Sequence, residues 1–125
     1  MDELEEQQVA FGMRRTTLSH DTTLVELSGQ IDLHTAPQLK EHLLAAVDDG
    51  AVDVVVDLSE TTFIDSMTLG ILLGAVKRLR PRGGQLRVVT ADPSIRKIFE
   101  ITLLDRVFSL YETREAALER AASSG

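Results

Sequence analysis

The sequence predicts an α/β domain, a mixed and largely parallel sheet of about 4–5 strands covered by about 4 helices. Three observations carry this. Strand-like runs alternate with helix-period segments of ~10–15 residues, the rhythm of a parallel sheet. Val54-Val55-Val56 is a β-branched run without polar alternation, as in a central strand buried on both faces. A chain of 125 residues has room for one hydrophobic core and is too short for two. Aromatic residues are 4% of the chain against 43% apolar, so that core must be aliphatic.

Residues 1–8 (MDELEEQQ) read as a disordered acidic leader, residues 9–121 as the domain, and 122–125 as a loose tail. Val9–Leu18 reads as a strand, Ser19-His20-Asp21 as a turn, and Thr22–Ser28 as a second strand, together an antiparallel hairpin. Gly29-Gln30-Ile31-Asp32 is a short extended piece leading to a helix. Thr35 is its expected N-cap, with Gln38 at capping-box spacing; Ala36, Leu39, Leu43 and Val47 form the apolar stripe, and Gly50 closes the helix. Val52–Leu58 is the central strand, and a short polar stretch joins it to Phe63-Ile64 and Asp65-Ser66.

From Ser66 to Arg80, Leu69, Leu72, Leu73, Val76 and Leu79 recur at helical spacing. Lys77, Arg78 and Arg80 complement the dipole at the C-terminal end, and Pro81 and Gly83-Gly84 stop the helix. Gln85–Thr90 is the next strand, and Asp92-Pro93 opens a short helix carrying Ile95, Ile98 and Phe99. Val107–Leu110 is expected as a last edge strand, before a final amphipathic helix over Thr113–Ala122.

Composition removes several function classes. A net charge of −7, from 20 acidic and 13 basic residues, opposes nucleic-acid binding. Without cysteine there is no thiolate chemistry. The first residues are acidic where a signal peptide is basic. The apolar run Leu69–Val76 is far short of the ~20 residues that span a bilayer, so a cytoplasmic protein without membrane insertion is expected.

Enzymatic motifs are also missing. Ser66 lies in I-D-S-M-T, not G-x-S-x-G, and none of His20, His34 or His42 is near it in sequence. Gly70, Gly74 and Lys77 do not have phosphate-loop spacing. Asp32 with His34, or His20 with Asp21, supplies too few ligands for a metal. No catalysis, cofactor or metal is expected. The two glycines are read as letting their helix sit close to the sheet. Gly74 costs its helix about 1 kcal/mol against alanine, which close packing or a partner's approach would compensate.

Asp65-Ser66 follows the buried strand and opens the most hydrophobic helix, at the sheet end where ligands and partners tend to bind. A simple helix cap, contributing about 1 kcal/mol, is the competing reading of the same residues.

The segment Val54–Leu73, VVVDLSETTFIDSMTLGILL, resembles the signature of the anti-sigma factor antagonists, the bacterial branch of the STAS domain family. The resemblance extends upstream to Gly29–Asp32 and Thr35-Ala36. Downstream it takes in Gly83-Gly84, Leu86–Val89, Ile95–Phe99 and Leu103-Leu104. It implies a phosphorylation-controlled switch. Ser66 would be phosphorylated by a partner that is both serine kinase and anti-sigma factor; the unphosphorylated chain would bind that partner and release a sigma factor. A metal-dependent serine phosphatase would reset it, and ATP and magnesium would belong to the kinase.

The partner surface implied is Asp32, His34, Thr61, Thr62, Asp65, Met67, Thr68, Leu69 and Gly70. The family's usual D-S-[ST]-G-[LIV]-[GA] is met at Leu69 and Gly70 but not at Met67 and Thr68. Thr68 is expected to stand in a kinase's approach, and Met67 to offer a flexible apolar contact. The resemblance also admits a STAS subunit bracing the ATPase of a membrane transport system for lipids or anions. A monomer or weak dimer is expected.

Overall fold

The computed structural model describes residues 11–124. Its strands are β1 Phe11–Thr17, β2 Thr22–Gln30, β3 Asp53–Phe63, β4 Gln85–Val89 and β5 Ser109–Tyr111. Its helices are α1 Ala36–Asp48, α2 Ser66–Leu79, α3 Pro93–Ile101 and α4 Arg114–Ser124. The strands form a single sheet in the order β1-β2-β3-β4-β5, with β1 antiparallel to β2 and every later pair parallel. This is the mixed, largely parallel α/β sheet that the sequence predicts. The acidic leader and the first residues of the strand read from Val9 lie outside the described residues.

The three valines of β3 show why the sheet needs two covers. Successive side chains point to opposite faces. Val54, Val56 and Leu58 enter the main core with Leu39, Leu43, Leu72 and Leu79 of α1 and α2. Val55 enters a smaller cluster with Leu24, Val89 and Ala117 of α4. In α3, Phe99 meets Phe108 edge to face at 5.6 Å between ring centroids.

The thin α4 face is reinforced by charge. Arg87, fully buried in β4, donates from Nη1 to Oδ1 of Asp53 at 2.7 Å. Arg114, opening α4, donates to Oδ2 of Asp57 at 2.8 Å and also to Glu26, tying the helix to β3 and β2.

Several details differ from the sequence reading, and four are instructive. First, β3 continues through the polar stretch to Phe63, because the end of β2 stays paired with it: Gly29 opposes Thr61 and Gln30 opposes Phe63. The Thr61 hydroxyl donates to the Leu27 carbonyl at 3.3 Å, and a register shift absorbs the irregularity.

Second, Thr35 stands at the N-cap position of α1 as expected, but its backbone is already helical and its side chain makes no capping bond. The capping box lies one turn earlier. Asp32 Oδ1 accepts from His34 N at 2.9 Å and Thr35 N at 3.3 Å, while Thr35 Oγ1 accepts from Asp32 N at 2.9 Å. Third, the edge strand is displaced to Ser109–Tyr111 because Phe108 turns into the core and Val107 ends a 3-10 turn. Fourth, α4 spans Arg114–Ser124, where a helix over Thr113–Ala122 is expected.

Candidate functional site

The candidate site lies at the carboxyl ends of β2 and β3. Ile64 is buried, and Asp65 then adopts an extended backbone, with φ −118° and ψ −179°. Its Oδ1 accepts two bonds from one residue, Thr68 N at 3.0 Å and Thr68 Oγ1 at 2.9 Å. The Thr68 N–H holds the Asp65 carboxyl below its ordinary pKa, partly opposed by burial and assisted by the Thr68 hydroxyl. Asp65 is therefore an anionic N-cap.

That assignment gives the capping role to Asp65. With Asp65 capping, Ser66 is the first residue of α2, and its side chain is exposed. Among the described residues its hydroxyl makes no hydrogen bond. The hydroxyl sits at the positive end of a 14-residue helix.

The Asp32–Thr35 turn forms the neighbouring wall. The Ile31 N–H donates to the Phe63 carbonyl at 3.0 Å and ties that turn to the end of β3. Asp32 is half-buried, while His34 and Thr62 are exposed. Three large apolar side chains are exposed at this end, Leu33 at 61%, Phe63 at 47% and Met67 at 44%. Leu33 and Phe63 were not legible as site residues, because an apolar residue beside a strand end reads as core until the fold shows which way it faces.

Several expected contact residues face inward. Thr61 and Leu69 are buried, and Thr68 is wholly so. Thr68, expected to stand in a partner's approach, is wholly buried and its hydroxyl donates to Asp65. These residues hold the surface in place and do not present themselves to a partner. Gly70 and Gly74 also depart from expectation. Both are exposed on the outer side of α2, and neither serves a close approach to the sheet.

No ion pair or hydrogen bond joins a histidine to Ser66 among the described residues. No cluster of His, Asp and Glu there could hold a metal ion, and no helix there is long and apolar enough to cross a membrane.

Residues 14–117 match the STAS domain. The anti-sigma-B factor antagonist of Staphylococcus aureus is 32% identical over 91 residues, covering 73% of this chain and 84% of that protein. The chain belongs to the STAS domain family.

Relatives 31–33% identical to this chain are anti-sigma factor antagonists. The anti-sigma-B factor antagonist of Staphylococcus epidermidis is 31% identical over 100 residues, covering 79% of this chain and 93% of the relative. The crystal structure of an anti-sigma factor antagonist from Mycobacterium paratuberculosis superposes with a TM-score of 0.80 at 33% identity, covering 88% of this chain and 92% of that one. Unphosphorylated SpoIIAA, at 22% identity, shares the fold with a TM-score of 0.79 over 90% of this chain and 97% of its own.

Proposed function

We propose that this STAS domain is an anti-sigma factor antagonist, a binding switch without catalytic activity of its own, with Ser66 as its phosphate acceptor. The observation that carries this reading is the division of labour at the start of α2. Asp65 takes the capping role and leaves the Ser66 hydroxyl exposed and unbonded among apolar contacts.

The partner is a serine-kinase anti-sigma factor, which the unphosphorylated domain binds so that a sigma factor is released. ATP and magnesium belong to that kinase. A metal-dependent serine phosphatase removes the phosphate, and the cycle runs in the cytoplasm. Asp32, His34, Thr62, Met67 and Gly70 contribute contact surface, supported from within by Thr61, Asp65, Thr68 and Leu69.

The energetics favour release over unfolding. A phosphate adds about −1.5 to −2 charge at neutral pH. At a helix N-terminus the dipole favours an anion by about 0.3–1 kcal/mol, so the free domain tolerates it. Facing a like charge at ~4 Å across an interface, at an effective dielectric of about 20, it costs about 4 kcal/mol. That is roughly a thousandfold in affinity.

The transporter reading has less support. The fold recurs in the anion transporter Slc26a9, with a TM-score of 0.66, but at 12% identity this likeness concerns the fold alone.

The test uses the purified chain with its cognate kinase, ATP and magnesium. Intact-mass measurement is expected to show one phosphate on the wild type and none on Ser66→Ala, with both unphosphorylated forms binding the kinase. A wild-type chain that gains no phosphate and binds no kinase overturns the reading.

A further inference from the structure

The outer face of α2 carries a feature that the chain's own packing does not explain. Gly70 and Gly74 stand one turn apart on it, and a Cβ built on either meets nothing within 4 Å. Alanine at either position would fit the fold and hold the helix better. The glycines border an open groove of ≈ 500 Å³ between α1 and α2. Its apolar surface comes from Leu43, Leu44, Ile71 and Ala75, and its rim from Lys40 of α1 and Arg78 of α2.

Charge narrows the choice of occupant. The chain carries −7 overall, yet Lys40 and Arg78 are both exposed and neither forms an ion pair among the described residues. Two unneutralised cations flanking an apolar trough select an anionic, amphipathic ligand. Position narrows it further. Met67, next to Ser66, lines one part of the groove, so the groove and the candidate switch form one continuous surface.

We infer that the α1–α2 groove receives an acidic amphipathic helix of the same protein partner that reads Ser66. The inference rests on the anti-sigma reading above and deepens it. Small residues one turn apart remove the side chains that hold two helices apart, so a second backbone can approach α2 closely. The incoming helix lays its apolar face on Leu44 and Ile71, in the helix-in-groove manner, and its carboxylates meet Lys40 and Arg78. A phosphate on Ser66 would then lie beside an acidic helix, where like charge drives the partner off.

The test measures affinity and stability together, using the purified cognate serine-kinase anti-sigma factor as the probe. Gly74→Leu fills the groove, and replacing a helix-interior glycine is expected to raise Tm by a few degrees. Its affinity for the kinase is expected to fall at least about tenfold. Arg78→Glu is expected to weaken binding similarly and Arg78→Lys to restore it. Gly74→Leu that melts at or above the wild-type temperature and binds within about twofold of it overturns the inference while leaving the role of Ser66 intact. A wild type that binds no kinase overturns both. Wild-type self-association that Gly74→Leu abolishes, with kinase affinity unchanged, assigns the groove to a second copy of the chain and also overturns it.

Discussion

At Asp65 a single carboxylate oxygen receives both donors of Thr68, and this small arrangement decides what Ser66 is free to do. Asp65→Ala is expected to lower stability by about 1 kcal/mol at neutral pH. Because the folded-state pKa of Asp65 is depressed, that contribution is fully present above its ordinary value near 3.8 and is lost as pH falls through the folded value. Urea titrations of wild type and Asp65→Ala across the acid range check the sign; a gap undiminished at the lowest pH where both fold refutes the ionic cap. Thr68→Val keeps the buried shape and removes one donor, at an expected cost of about 1 kcal/mol. The departure from the family's glycine at this position thus has a local rationale, since the hydroxyl of Thr68 reinforces the cap.

At the scale of elements, α4 covers its face of the sheet with little buried apolar surface among the described side chains. Its fully buried apolar contribution among the described residues is Ala117, and the Arg114 bridge to Asp57 and Glu26 fixes its first turn. Arg114→Met would leave Asp57, only 4% exposed, without its counter-charge. An expected loss of about 1–3 kcal/mol follows, reduced from that of a fully buried pair because Arg114 itself is partly in water. Hydrogen exchange checks the location: amides of α4 should lose protection before those of α2. Uniform loss across both helices would mean that Arg114 supports the global fold and not the docking of one helix.

At the scale of the whole molecule, the proposed switch requires that modification change partner choice without changing the fold. Ser66→Asp places a carboxylate at the helix N-terminus, where the dipole favours it. Calorimetry is therefore expected to find its Tm within a few degrees of wild type, while kinase binding falls. A large drop in Tm would transfer the effect from the interface to the domain and remove the physical basis of the switch.

The sequence by itself determined the sheet class, the chain order of the elements and the α2 start at Asp65-Ser66. These follow from periodicity, β-branched runs and capping residues, all of which act over a few neighbouring positions. The family resemblance pointed to Ser66 as the residue of interest. Only the tertiary structure decided which side chains near Ser66 face outward. Thr61, Thr68 and Leu69 turn inward, whereas Leu33, Phe63 and Gly74 are exposed. It also extended β3 to Phe63 through pairing with the end of β2, gave the capping side-chain bonds before α1 to Asp32 while Thr35 kept the N-cap position, and opened the groove beside α2. The reason is common to all of these. Burial and strand pairing depend on residues distant in the chain, such as Leu27 beneath Thr61 or Leu43 across from Ile71, and no local pattern encodes that meeting.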